Sequence, residues 1–197
     1  MPGMHSMEAD WSVELGAEMP EIDAHWPGWV DLRKHPQRLG ELEEASRLPA
    51  LGVLLARLNL VDSRYWTAKC DFWAVEDPVD PYEMEADEDH CRAALGCYVD
   101  LLPLEAGAWT GLSGLEAARG WAEALVADLR AQQCRQSRVD VVLRRAVFSP
   151  GKADLDGNPL NFGATVYLTG CGADETQARE ALGAAMEILT TLLAWQG

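Results

Sequence analysis

Hydrophobic and polar side chains alternate along four segments of this chain, which is the pattern of a half-buried β-strand. The segments are residues 65–75, 93–104, 138–148 and 162–171. Each pair of segments is followed by a stretch in which apolar residues recur every three or four positions, as in an amphipathic helix. The pattern therefore predicts two consecutive strand–strand–helix units.

Both of the predicted long helices begin with a capping-box sequence. Ser113 is followed three residues later by Glu116, and Asp174 is followed three residues later by Gln177. In such a box the first side chain accepts a hydrogen bond from a free N–H of the first turn. We therefore expect helices over residues 113–133 and 174–195.

The first 64 residues have no such regular pattern. The segment up to residue 35 is irregular and contains Trp11, Trp26 and Trp29, which are too apolar to leave in water, so we expect it to wrap over the rest of the molecule. Short alternating runs at 11–15 and 29–32 are compatible with brief strands. Residues 36–58 predict two short helices separated by Pro49.

Together these patterns predict an α+β fold. We expect a four-stranded antiparallel sheet built from two ββα units, with both long helices on one face and an N-terminal helical and tryptophan-rich extension. The expected division is an arm at residues 1–64 and a duplicated domain at residues 65–197.

The sheet face turned away from the helices is the candidate ligand-binding surface. Aromatic side chains there give contact area and charged ones give orientation. The residues that this face would present as ligand contacts are Lys69, Asp71, Trp73, Tyr98, Asp100, Arg144 and Tyr167. The alternative is that the N-terminal arm covers this face and that its charges merely satisfy one another.

Charge and composition narrow the classes of partner. The net charge of −16 argues against binding to nucleic acid or to an anionic membrane, because both need a basic surface. Half of that charge comes from the acidic segment, residues 76–90, which contains eight Asp or Glu and no Lys or Arg. No run approaches the roughly 18 apolar residues of a membrane span, and the start lacks the features of a signal peptide. Together with an odd number of cysteines, five, this predicts a cytoplasmic protein without structural disulfides.

No motif indicates a catalytic residue, a metal or a cofactor. Residues 154–158 begin like a calcium-binding loop, but the glycine stands in the fourth place instead of the sixth. His90 and Cys91 lack the second ligand pair of a zinc site. Cys171 precedes a helix, as activated thiols do, but no histidine stands in a context typical of a thiol enzyme. Phosphate-binding loops and the Gly-x-Ser-x-Gly elbow are also missing from the sequence.

The order of elements, a helix and then strand–strand–helix twice, in an acidic chain resembles the bacterial secretion chaperones and their relatives. The resemblance covers roughly residues 36–195 and lies in element order and charge. It implies an acidic homodimer that holds an extended segment of a partner protein. We therefore expect a non-enzymatic protein-binding module for a basic or extended partner. The alternatives are a small-ligand binding domain or enzyme that uses the open sheet face, and an inhibitor that mimics nucleic acid through its carboxylates.

Overall fold

The computed structural model describes residues 13–15, 21–132, 135–148 and 160–195. The strands are Val13–Leu15 (β1), Ile22–Asp23 (β2), Tyr65–Ala74 (β3), Ala93–Pro103 (β4), Ser137–Val147 (β5) and Asn161–Gly172 (β6). The α-helices are Glu43–Arg47 (α1), Pro49–Leu58 (α2), Gly111–Ala131 (α3) and Glu175–Trp195 (α4). Two short 3-10 helices lie at Pro36–Glu41 and Glu88–His90.

The described strands form one mixed sheet in the order β1–β5–β6–β4–β3. The pairs β3–β4, β4–β6 and β5–β6 are antiparallel. The short strands β1 and β2 both run parallel to β5, with Val13 opposite Val141 and Ile22 opposite Ala146. They therefore share one edge position, and the sheet is five positions wide within the described residues.

The prediction of a four-stranded antiparallel sheet is wrong, although the α+β class is confirmed. The N-terminal arm adds a parallel edge along β5, whose outer N–H and C=O groups would otherwise lack a neighbouring strand. The first added strand, Val13–Leu15, lies within the alternating run at 11–15 and confirms that prediction of a brief strand. The second is two residues long, too short for alternation to reveal it. The run at 29–32, which also alternates, is not a strand.

Both long helices pack against the same face of the sheet and enclose the main hydrophobic core. Val99, Val141 and Val166 of the strands are buried there against Leu125 of α3 and Leu182 of α4. Each fully buried aliphatic side chain of this kind contributes about 1.5–3 kcal/mol to folding. Helix α2 packs against α4 and β3, so the N-terminal segment shares this core. Within the described residues, no helix combines the length and apolar character that crossing a membrane requires.

One of the two predicted helix caps is confirmed and the other is wrong. The N–H of Gln177 donates to Asp174 Oδ1 at 2.9 Å, which confirms Asp174 as the cap of α4. Helix α3 instead begins at Gly111, after Thr110, so the prediction of Ser113 as its cap is wrong. The N–H of Gly114 donates to the Thr110 carbonyl at 3.1 Å, and this bond already places Ser113 inside the first turn.

Candidate ligand-binding cavity

A cavity of about 260 Å³ lies on the sheet face opposite the long helices. Strands β3, β4, β5 and β6 form one wall, and the N-terminal arm forms the other. The residues that line it are Glu21, Ile22, Asp23, Trp26, Lys69, Tyr98, Asp100, Arg144, Thr165 and Tyr167.

Strand register explains why the sheet residues of this wall meet. On the antiparallel pair β4–β6, Tyr98 lies opposite Tyr167 and Asp100 lies opposite Thr165. Residues two apart on a strand point to the same face, so these four side chains form two adjacent cross-strand pairs. Arg144 reaches the same surface from β5.

Asp100 is the most buried acid of the cavity, with 8% of its surface exposed. The hydroxyl of Thr165 donates to its Oδ1 at 2.6 Å. Burial raises the pKa of Asp100 to about 6, although the Thr165 hydrogen bond and the positive charges of Arg144 and Lys69 act to lower it. This carboxyl group therefore changes its protonation state close to neutral pH.

Two tyrosines and an arginine stand beside Asp100. The Tyr98 and Tyr167 rings are 5.7 Å apart between centroids, at an interplanar angle of 49°. Arg144 donates through Nη2 to the Tyr167 hydroxyl at 3.0 Å. Burial, and then the negative charges of Asp100 and Asp71, raise the pKa of Tyr98 above its usual value, so its hydroxyl keeps its proton.

The arm side of the cavity is held by contacts with the sheet. Trp26 donates through Nε1 to the Ala68 carbonyl at 3.0 Å, and Lys69 Nζ lies 5.8 Å from the centroid of the Trp26 ring. Glu21 forms an ion pair with Arg145 at 3.2 Å. These contacts fix the arm across β3 and β5 and so define the cavity.

The structure brings five of the seven sequence candidates together: Lys69, Tyr98, Asp100, Arg144 and Tyr167 all line this cavity. Asp71 and Trp73 do not. Asp71 accepts a hydrogen bond from the N–H of Phe72 at 2.8 Å, next to it on β3. Trp73 packs over Gly96, and its ring centroid lies 6.1 Å from that of Tyr98. Ligand binding by the five that meet stays a prediction.

The arm covers part of this face, as the alternative interpretation expected, without filling it. Ile22 and Ala24 pack with Trp66, Leu102 and Ala146 in a second hydrophobic cluster beside the cavity. Thr165 also lines the cavity, on the same face of β6 as Tyr167, although it is not among the seven predicted ligand contacts. The other lining residues outside those seven are Glu21, Ile22, Asp23 and Trp26. These four lie in an irregular segment, where no periodicity indicates which way a side chain points.

The four described cysteines all have a raised pKa, mainly because they are buried. Cys171 is fully buried, and burial together with a hydrogen bond to Cys91 raises its pKa, so it is not an activated thiol. Cys97 is also buried, and burial raises its pKa as well. No group of three or more His, Cys, Asp or Glu in the described part of the chain could hold a metal ion. Residues 154–158 lie outside that part.

No protein-family model matches this chain, and comparisons with curated proteins and with solved structures give no match either. The resemblance to secretion chaperones therefore stays a prediction.

Proposed function

We propose that this protein binds a small polar organic ligand in the cavity between the N-terminal arm and the open face of the sheet. The cavity combines aromatic surface, hydrogen-bonding groups and charges of both signs. Such a mixture is typical of sites that hold a small molecule in one orientation. Its volume of about 260 Å³ limits the ligand to a compact molecule.

The observation that carries this proposal is the state of Asp100. Its carboxyl group is nine-tenths buried at the cavity wall, and Thr165 is its hydrogen-bond donor among the described residues. The positive charges of Arg144 and Lys69 lie near enough to lower its pKa, but burial has the larger effect. Burying a carboxyl group costs free energy unless polar groups replace the water that it loses. A ligand that adds a polar contact to Asp100 would offset part of that cost.

A fragment screen by two-dimensional NMR tests the proposal. The library contains cationic, anionic and neutral fragments that each carry one aromatic ring. We expect some of them to shift the resonances of Tyr98, Asp100 and Tyr167 together, in a saturable way. Replacing Tyr98 by Leu should weaken those hits at least tenfold, because it removes the aromatic surface beside Asp100.

The matched control is Tyr82→Leu. Tyr82 is 49% exposed in the acidic segment and lies outside the cavity, so its loss should leave fragment binding unchanged. If no fragment of any charge perturbs the cavity, the proposed function is wrong. If the shifts are the same in both variants, the fragments bind elsewhere and the proposal also fails.

A second candidate is the non-enzymatic protein-binding role that charge and element order suggest. The observation that favours it is that the acidic segment packs against the sheet. Met84 is 2% exposed and packs with Ala94 and Cys171, which anchors the segment to the sheet. Asp89 forms an ion pair with Arg92, whereas the side chain of Asp87 is 93% exposed. Exposed negative charge of this kind suits a partner with a basic surface.

Addition of a partner strand to β3 is a less suitable mode for this role. The Trp26 and Trp29 indoles donate to the carbonyls of Ala68 and Thr67, and Asp71 accepts from the N–H of Phe72. These bonds occupy the outer edge of β3 where an added strand would pair. A basic partner would instead meet the acidic segment through side chains.

A pull-down at low salt and at 0.5 M salt separates the two candidates. Electrostatic capture of a basic partner weakens at high salt, because ions screen exposed charges. A second copy of the chain, the expected homodimer, would appear in light scattering as a doubled mass. Absence of any partner at both salt concentrations would count against the protein-binding role and leave ligand binding as the remaining candidate. We place either role in the cytoplasm, which fractionation of expressing cells would test.

A further inference from the structure

Two of the described cysteines lie in contact with each other, away from the cavity. Cys171 is fully buried near the end of β6, and Cys91 is half-buried directly after the acidic segment. Their side chains form a hydrogen bond. Cys171 belongs to the small hydrophobic cluster that contains Met84 and Ala94, and Cys91 packs against that cluster. Neither cysteine lines the cavity.

The backbone around this pair holds the two thiols together. The N–H of Arg92 donates to the Gly172 carbonyl at 2.9 Å, one residue after each cysteine. In the β4–β6 ladder that follows, Ala94 lies opposite Cys171. Cys91 therefore joins the start of β4 at the position where β6 ends. Groups that a fold already holds side by side react with each other much faster than free groups do.

The other two described cysteines are arranged differently. Cys70 lies opposite Val99 and Cys97 lies opposite Phe72, so the two are diagonal neighbours on β3 and β4. The Cys97 thiol donates to the Tyr98 carbonyl at 3.7 Å. This second pair serves as a comparison within the same molecule.

We propose that Cys91 and Cys171 are a reversible disulfide site that is oxidised by peroxides. Hydrogen peroxide transfers one oxygen atom to the Cys91 sulfur, which gives a sulfenic acid and releases one water. The Cys171 sulfur then attacks the Cys91 sulfur. The S–S bond forms as the S–O bond breaks, and the hydroxyl group leaves with the Cys171 proton as a second water. One peroxide is reduced and two thiols are oxidised, and a dithiol reductant reverses the reaction.

Exposure and hydrogen bonding determine which thiol reacts first. Peroxide reaches the pair through Cys91, because Cys171 has no exposed surface. Burial raises the pKa of both thiols, which keeps the first step slow. The hydrogen bond between them raises the pKa of Cys171 further and acts to lower that of Cys91. Cys91 is thus the thiol that loses its proton more easily.

The bond would tie the end of the acidic segment to the end of β6. Val79, Met84 and Ala86 of the segment pack around the same pair. A disulfide stabilises a folded structure by restricting the unfolded chain. In a reducing compartment the thiols stay free, so the segment would be cross-linked only when an oxidant is present.

Peptide mapping of the oxidised full-length protein tests the assignment. The folded protein is treated with hydrogen peroxide, blocked with N-ethylmaleimide and digested with trypsin and an Asp-specific protease. This digestion leaves Cys91 and Cys171 on separate peptides that contain no other cysteine. We expect the pair joined through Cys91 and Cys171 to be at least tenfold more abundant than a pair joined through Cys70 and Cys97, and dithiothreitol should remove it. If the expected pair does not form, or if either cysteine joins Cys134 instead, the assignment is wrong.

Substitutions test the order of the two steps. In Cys171→Ala the sulfenic acid of Cys91 has no second thiol to attack it, so it should persist and react with dimedone. In Cys91→Ser the buried Cys171 should stay reduced. Equal oxidation of the remaining thiol in both variants would overturn the proposed order.

The matched control is Cys70→Ser, which removes another half-buried cysteine and should leave the bridge intact. Loss of the bridge in this control would overturn the assignment to one specific pair. Mapping of the wild type decides the assignment even if a variant does not fold.

Discussion

Asp100 shows at the residue scale what burial of a carboxyl group costs in stability. Its 8% exposure leaves the carboxylate largely without water, and Thr165 offers a single hydrogen bond in exchange. Lys69, Arg144, Tyr98, Tyr167, Glu21 and Asp23 are the titratable groups that line its cavity. The positive charges of Arg144 and Lys69 lower its pKa, but burial has the larger effect. Its pKa of about 6, against an ordinary 3.8, reports the resulting cost.

This pKa shift gives a signed prediction for stability. Folding raises the pKa, so the folded state binds the Asp100 proton more tightly than the unfolded state does between pH 4 and pH 6. The contribution of Asp100 to stability therefore falls as the pH rises through that window, by about 3 kcal/mol at most. Asp100→Asn should then gain stability relative to the wild type as the pH rises. Urea unfolding of both proteins at pH 4 and at pH 7.5 measures the difference, and a gap that does not depend on pH would contradict the prediction.

Gly163 marks the place where the arm meets the sheet. A Cβ added there would lie 2.8 Å from Ile22 Cδ1 and from Leu102 Cδ2, and 2.9 Å from the Leu101 carbonyl oxygen. All three distances are shorter than van der Waals contact. We expect Gly163→Ala to lower the free energy of unfolding by about 1–3 kcal/mol, because it overpacks the cluster beside the cavity.

The control for that substitution is Gly120→Ala. Gly120 is exposed in α3, and a Cβ there would meet no atom within 4 Å. Alanine at a helical glycine adds about 0.5–1 kcal/mol of stability because the unfolded chain loses freedom. Denaturant titration of the two variants should thus give changes of opposite sign. Equal changes would show that Gly163 is not a site of close packing.

At the scale of elements, the edge strand β3 is protected by side chains of the arm. Trp26 donates to the Ala68 carbonyl at 3.0 Å and Trp29 donates to the Thr67 carbonyl at 3.4 Å. The pairing of β3 with β4 is irregular between Thr67 and Cys70, which is where these indoles bind. An interrupted ladder leaves backbone groups without strand partners, and the tryptophans supply partners for two of them.

Replacing Trp26 by Phe tests this role. The ring stays aromatic, but its N–H donor to Ala68 is lost, so we expect unfolding free energy to fall by about 0.5–1.5 kcal/mol. The same change at Trp29 should cost less, because its bond is longer. Thermal unfolding of both variants measures this order. A larger loss at Trp29 than at Trp26 would contradict the hydrogen-bond explanation.

Helix α4 packs closely against the face of the sheet opposite the cavity. Gly170 of β6 lies so close to α4 that a Cβ would come within 2.5 Å of the Leu182 nitrogen and 2.6 Å of the Ala178 carbonyl oxygen. These neighbours are backbone atoms, which cannot move without shifting the helix. The close approach of α4 to β6 holds the strand that carries Thr165 and Tyr167.

At the scale of the molecule, the N-terminal arm contacts both edges of the sheet. It pairs with β5 through β1 and β2, contacts β3 through Trp26 and Trp29, and supplies one wall of the cavity. The fold and the candidate site therefore depend on the same segment. A ligand in the cavity would contact both the arm and the sheet and would stabilise the folded state by mass action.

Deleting residues 1–24 tests the arm as a structural element. The deletion removes β1, β2 and Ile22, which exposes the outer edge of β5 and the cluster around Leu102. We expect self-association or loss of the folded state, because an open edge pairs with other chains. Light scattering measures the mass. Deleting residues 1–12, which keeps both short strands, is the control and should stay closer to the full chain. A folded monomer of unchanged melting temperature after the longer deletion would contradict this role.

Which residues share a face of the sheet could be predicted without coordinates. Alternation on β4, β5 and β6 grouped Tyr98, Asp100, Arg144 and Tyr167, because the direction of a side chain along a strand is a local property of the backbone. It also determined the α+β class and the cap of α4, which are local as well. These predictions needed no knowledge of which strands are neighbours.

Other features of the molecule could not be predicted in this way. The parallel edge, the placement of Trp26 and the exclusion of Asp71 and Trp73 from the cavity depend on contacts between distant parts of the chain. Val13 pairs with Val141, and Trp26 binds the carbonyl of Ala68. Strands of two or three residues carry too few alternations to predict a partner, and their pairing is stable only once β5 is already in place. The cavity exists because the irregular arm closes over a regular sheet, and that closure is a property of the folded chain.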